Sequence, residues 1–211
     1  STSNVSGGGG GIHSTSSTFI YNATVSANLA RFNGGGVLST TASGRVSLYN
    51  VTLADNRADS DGNGSGVGGG LRLEGNFATV QNSAFAGNRA GTGNVADDCD
   101  KTAGLSNVSF LSNHIEAATS TCGFSAGTGD VIGAPAGLTA LANNGGSNET
   151  HLPAAGSPLI DTGNNAACLG NDQRGIARPL DGEGDGTATC DKGAVEVSPT
   201  PIDPIFANGF E

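Results

Sequence analysis

One short phrase constrains this chain more than anything else in it. It reads Asn-x-x-Φ-x-x-Asn, with Φ apolar, and it begins at Asn22, Asn50, Asn82 and Asn107. The central residues are Val25, Leu53, Phe85 and Phe110, and the closing ones are Asn28, Asn56, Asn88 and Asn113. Two residues before each copy stands an apolar residue (Ile20, Leu48, Val80, Leu105). Two residues after it stands a small or apolar one (Ala30, Ala58, Ala90, Ile115). The copies start 25 to 32 residues apart. A period of that size marks a stacked architecture, in which one unit cannot bury its apolar face alone.

A second phrase, Gly-Gly-Gly-Φ, precedes the first three copies and ends at Ile12, Val37 and Leu71. Val46-Ser47-Leu48 and Ala78-Thr79-Val80 alternate as strands do, and no stretch keeps a helical period. Three short strands per unit give one coil of a parallel β-helix, so the chain is expected to be all-β. Glycine suits turns and close backbone approach, and asparagine suits bends, where its amide can bond the next coil. The expected inward row is Val25, Leu53, Phe85 and Phe110, between two asparagine ladders. The coils are expected over 1–122 and an irregular C-terminal capping region over 123–196. A Pro-rich tail is expected over 197–211. At the third unit Ala96-Asp97-Asp98-Cys99 takes the place of the glycine run.

The four cysteines, Cys99, Cys122, Cys168 and Cys190, form no C-x-x-C pair and have no histidine at zinc spacing. An even count in a chain rich in Gly, Ser, Thr and Asn fits two disulfides and an oxidising compartment. Sequential pairing closes two loops of similar length and ties down the open end of the stack. The other two connectivities stay open. The net charge of −10 argues against a nucleic-acid partner and against attachment to anionic lipid. No stretch approaches a transmembrane helix. Nothing at Ser1 reads as an export signal, which is expected upstream.

Gly69-Gly70-Leu71 and Phe85-Ala86-Gly87-Asn88 resemble the polymorphic outer-membrane protein repeats of bacterial surface β-helix proteins. The second half resembles the choice-of-anchor Q region found after such repeats. Its matching stretches are Asp97-Asp98-Cys99, Asn143 to Gly146, Thr150-His151, Gly156 to Asp161, Asp172 to Gly175, Ala177-Arg178-Pro179 and Cys190 to Glu196. The resemblance implies a right-handed parallel β-helix, sequential disulfides, and a secreted or outer-surface location in a Gram-negative bacterium. It implies no defined enzymatic activity. The terminal Ile205 to Glu211 resembles a tail carried by exported proteins of some such bacteria.

Candidate chemistry is sparse. Asp181, Glu183 and Asp185, and more weakly Asp59, Asp61 and Asn63, place oxygen ligands at alternate positions before a glycine, as in half of a calcium loop. The bland alternative is a solvated acidic turn. Gly123-Phe124-Ser125-Ala126-Gly127 has the spelling of a nucleophile elbow, with Asp130 and His151 following. That motif has meaning only on a strand–turn–helix, which is not expected here. The Gly64-x-Gly66-x-x-Gly69 match to a dinucleotide fingerprint reflects glycine density. The Asn-x-Ser/Thr sequons at Asn22, Asn50 and Asn107 belong to the repeat. Arg57 and Arg89 align after the closing asparagines, with His114 next in that row, and form a basic stripe that suits either a solvated edge or an acidic glycan.

The function expected from the sequence is that of a non-catalytic secreted or cell-surface β-helix protein, an adhesin, passenger or scaffold. Its partner is expected to be a cell-surface glycan or protein. The alternative is a polysaccharide-active lyase or hydrolase, which needs clustered carboxylates in a groove.

Overall fold

The computed structural model describes every residue except 1, 2, 5, 6, 41, 42, 76, 120, 121 and 200–211, so most of the expected Pro-rich tail lies outside the described residues. The chain forms a parallel β-solenoid of about three turns with almost no helix. On the first face, Ile12–Ser14, Val37–Ser39, Leu71–Leu73 and Cys99–Lys101 stack in that order. The long strands Thr18–Ser26 and Arg45–Ala54 each cross a bend and serve two further faces. Phe77–Gln81 and Asn107–Leu111 continue the second face. Ala84–Ala86, His114–Ile115 and Val131–Ile132 continue the third.

The bends between the second and third faces fall on Asn22, Asn50 and Asn82, at φ of 45°, 51° and 47°. That left-handed region is costly for most side chains and tolerated by asparagine. Alternation turns Ile20, Leu48 and Val80 inward, and beyond the bend Val25, Leu53 and Phe85. Leu48, Leu53, Val80 and Phe85 are fully buried. Each such side chain contributes about 1.5–3 kcal/mol through removal from water.

The fourth copy of the phrase does not stack in its spelled register. Asn107 pairs with Phe77, Phe110 with Val80, and Ile115 with Phe85. The inward row therefore runs Val25, Leu53, Phe85 and Ile115, while Phe110 joins Ile20, Leu48 and Val80. Ser112, at φ 54°, makes the bend opposite Asn82. Burial decides this register. Val80 and Phe85 stand five residues apart, and so do Phe110 and Ile115, so one coil fills both rows.

The glycine triplet divides three tasks. Gly68 turns the chain at φ 71°. A Cβ on Gly69 would lie 2.4 Å from the backbone of Arg89, because two walls of the coil meet there. A Cβ on Gly70 would lie 3.0 Å from the Asn88 amide. The space over Gly36 and Gly70 is filled by the inner asparagine ladder. Asn56 Oδ1 accepts from Asn28 N and Nδ2, and Asn88 Oδ1 accepts from Asn56 N and Nδ2. Asn56 Nδ2 also donates to Val25 O, and Asn88 Nδ2 to Leu53 O.

The ladder ends on a carboxylate. Leu71 N bonds Asp98 O, so Asp98 holds the place of Gly70 one coil on. Its side chain accepts from Asn88 Nδ2 and from Ala117 N. A parallel arrangement runs from Ser83 through Asn113 to Asp130, which accepts from Asn113 N and Nδ2. Both disulfides pair sequentially, Cys99 with Cys122 and Cys168 with Cys190. Beside the first, Phe124 packs on Phe110 and Phe85 at centroid distances of 4.1 and 5.5 Å and closes that end of the core.

Residues 136–197 lie along the flank of the third face and touch successive coils. Asn22 Nδ2 donates to Asn171 O, Asn50 Nδ2 to Asp191 O, and Asn82 Nδ2 to Asn164 O. Thr52 Oγ1 accepts from Ala194 N, and Lys192 Nζ reaches Gly129 O. The outward asparagines of the phrase are thus the docking row for the second half of the chain.

Candidate functional site

The acidic loops are closed by their own amides. Asp181 Oδ1 accepts from Gly184 N and Asp185 N, and its Oδ2 from Gly186 N, all within 3.0 Å. Glu183 N donates to Asp161, and Asp185 accepts from Thr187 N. Asp59 is buried and accepts from Asn63 N and Gly64 N. Asp61 pairs with Arg31 at 2.7 Å, which lowers its pKa, and Asn63 accepts from Ser65 N. Among the described residues no three Asp, Glu, His or Cys side chains gather as a metal would require.

Arg57 and Arg89 do stand in one row, bridged in parallel, with Leu29 before them. Arg57 turns to its own loop at Asp59 O, 3.5 Å away, and Arg89 bonds Asn94 O at 3.1 Å. His114 is not in that row. It pairs with Ala84, is buried, and donates from Nε2 to Ala134 O. Burial lowers its pKa.

The motifs of the second half form a buried ionic lock. Arg178 meets Glu196 at 3.2 Å with both side chains fully buried, and donates to Asp191 O and Gly193 O. Asp172 accepts from Arg174, Ile176 N and Glu196 N. Burial works to raise the Asp172 pKa, but these donors outweigh it and hold it below the usual range. Asp191 accepts from Asp161 N and Val197 N. Its pKa is pushed up to about 7, by burial first and then by the Glu196 carboxylate. These residues hold the flanking segment together, and Arg174 among them also borders a groove.

The outer side of the second face has a different character. Phe19 and Tyr21 are 56 % and 50 % exposed, and Tyr49 is half-buried. Tyr21 stacks on Phe19 at 6.3 Å and on Tyr49 at 5.3 Å. In register beside them lie Ser47, Thr79 and Gln81. Arg45 sits 5.7 Å from the Phe77 ring and donates to Thr79 Oγ1 at 2.7 Å. Ser47 and Thr79 are themselves buried, so the exposed character of this face is aromatic and guanidinium, and it escaped the sequence reading. Its signal is the alternation itself: Ile20 and Leu48 point in, so Phe19, Tyr21 and Tyr49 point out.

On the third face a cavity of about 300 Å³ lies between the coils and residues 135–140. Asp55, Glu116 and His151 line it together with Leu138. Glu116 accepts from Ala136 N at 3.3 Å. His151 is buried, with Nδ1 2.8 Å from Thr139 O and Nε2 2.7 Å from Ser26 Oγ. The elbow spelling around Ser125 has another meaning. Ser125 caps a one-turn 3-10 helix, Ala126–Thr128, and its N–H bonds Asp130. His151 faces Ser26 instead. A larger groove of about 680 Å³, lined by Ile160, Arg174, Glu183 and Val197, runs along the flanking segment.

No helix among the described residues is long and apolar enough to cross a membrane. No family model, curated protein or solved structure matches the chain.

Proposed function

We propose that the protein works outside the cell as a binding module, its solenoid a rigid scaffold that presents the second face to a glycan at a cell surface. The stacked Phe19, Tyr21 and Tyr49 row carries this reading. Exposed rings offer apolar surface to the C–H faces of sugars, and the exposed Arg45 beside them offers a donor to hydroxyl and carboxylate groups. Two disulfides suit an oxidising compartment. The resemblance to bacterial surface β-helix repeats agrees with an adhesin, passenger or scaffold role.

One observation favours a second reading, a polysaccharide-active enzyme: Asp55 and Glu116 share one cavity. A glycan panel separates the two. The binding reading expects retention of at least one acidic or neutral oligosaccharide, loss of retention in Tyr21→Ala, and no new reducing or unsaturated ends. Release of such ends, abolished in Asp55→Asn or Glu116→Gln, overturns it in favour of the second.

A further inference from the structure

We infer that Ser26 is an activated nucleophile, with His151 as its general base, placed beside the third-face cavity to take an acyl group from a small ester. This goes beyond the binding role and does not rest on it.

The direction of the hydrogen bonds carries the inference. Thr139 O is a carbonyl and only accepts, so His151 Nδ1 is the protonated nitrogen in their 2.8 Å bond. Nε2 then carries the lone pair, and the Ser26 hydroxyl donates to it at 2.7 Å. The reverse tautomer would leave a lone pair facing the carbonyl oxygen. Nucleophile, base and orienting group are thus in the relation that serine activation requires, with a main-chain carbonyl in the third place. His151 is held 3 % exposed, so the ring does not wander, while Ser26 is half-buried and reachable. Ser26 pairs in register with Ala54, and Ala54 and His151 both line the cavity.

The cavity selects the substrate class. Its volume of about 300 Å³ admits a short acyl chain and part of an alcohol. It is lined by Asp55 and Glu116 and by no Lys or Arg, so it disfavours anionic esters and suits neutral or cationic ones. Ser26 Oγ bonds to the ester carbonyl carbon as its proton passes to His151 Nε2. The tetrahedral adduct collapses, the carbon–oxygen bond to the alcohol breaks, and the alcohol leaves with the proton from Nε2. Water repeats the sequence and releases the acid. No electrons are exchanged with any other reactant.

Two features keep this distinct from a structural contact. A histidine that only pins the flanking segment needs no particular polarity towards Ser26. A merely structural serine reacts no faster than its neighbours. The intact protein is treated with a neutral fluorophosphonate, and the adducts are located by peptide mass spectrometry. Turnover of p-nitrophenyl acetate is followed alongside. The expected result is a single adduct on Ser26, absent in Ser26→Ala and formed about 100-fold or more slowly in His151→Gln. Ser26→Ala leaves the buried His151 Nε2 without its partner, so its melting temperature should fall modestly while the protein stays folded. Because His151→Gln can loosen the flanking segment, Ser26→Cys supplies an independent arm: its thiol should be alkylated faster than a cysteine placed at the equally half-buried Thr24. Absence of a Ser26 adduct on the folded parent, or adducts spread over several serines at similar rates, overturns the proposal.

Discussion

At the scale of single residues, polar side chains do most of the specifying. The Asn56 side chain makes four hydrogen bonds along the inner ladder, to Asn28, Val25 and Asn88. Asn56→Ala removes the acceptor of Asn28 N and Nδ2 and one donor each to Val25 O and Asn88 Oδ1. We expect a loss of about 3 kcal/mol in urea unfolding, with an unchanged slope. Asp191 sets a pH dependence. Its folded-state pKa, about 7, lies above the ordinary carboxylate value. The unfolded chain therefore releases this proton first, and stability falls as pH rises from about 4 to about 7. Burial raises Glu196 and Asp98 in the same direction, so Asp191→Asn should reduce the slope without removing it and should melt above the parent at pH 8. Thermal melts at pH 5 and pH 8 check this; equal slopes in variant and parent contradict it. The sequence announced the asparagines but not their two roles. Asn22, Asn50 and Asn82 point outward to the flanking segment, and Asn28, Asn56 and Asn88 point inward. Ser26 and His151 were illegible as a pair because 125 residues separate them and Ser26 falls at a variable position of the phrase.

At the scale of elements, the repeat was readable wherever composition and burial agree, and misleading where they part. Three coils follow the spelled phrase. The fourth follows the five-residue distance between its two apolar residues instead. The glycine triplet was legible as a signal for turns and close backbone approach, but not which glycine serves which purpose. Gly69→Ala forces a Cβ to 2.4 Å from the Arg89 backbone. We expect a loss of about 3 kcal/mol or more, or an insoluble product, against a near-neutral Gly170→Ser, where φ is not positive and a Cβ meets nothing within 4 Å. The Cys99–Cys122 bridge, spanning 23 residues, closes the end of the stack. Replacing both cysteines by alanine should cost about 3 kcal/mol and expose Phe124, Phe110 and Phe85 to proteolytic nicking at that end first.

At the scale of the whole molecule, the chain separates its tasks by face. The flank of the third face is consumed by the second half of the chain, whose motif residues Asp172, Arg174, Arg178, Asp191 and Glu196 bind one another. The conspicuous sequence motifs are therefore architecture. We propose the second face as the surface offered to a partner, and it is spelled only as ordinary strand alternation. A net charge of −10 makes copies of such a column repel one another, while Arg45 gives the aromatic face a local positive centre. The most direct measurement is a chemical-shift titration of the isotopically labelled protein with the best-retained oligosaccharide from the panel. The account predicts shifts confined to the amides around Phe19, Tyr21, Arg45, Tyr49 and Thr79, lost in Tyr21→Ala. Shifts centred on Asp55, Glu116 and Leu138, or none with any glycan, would contradict it.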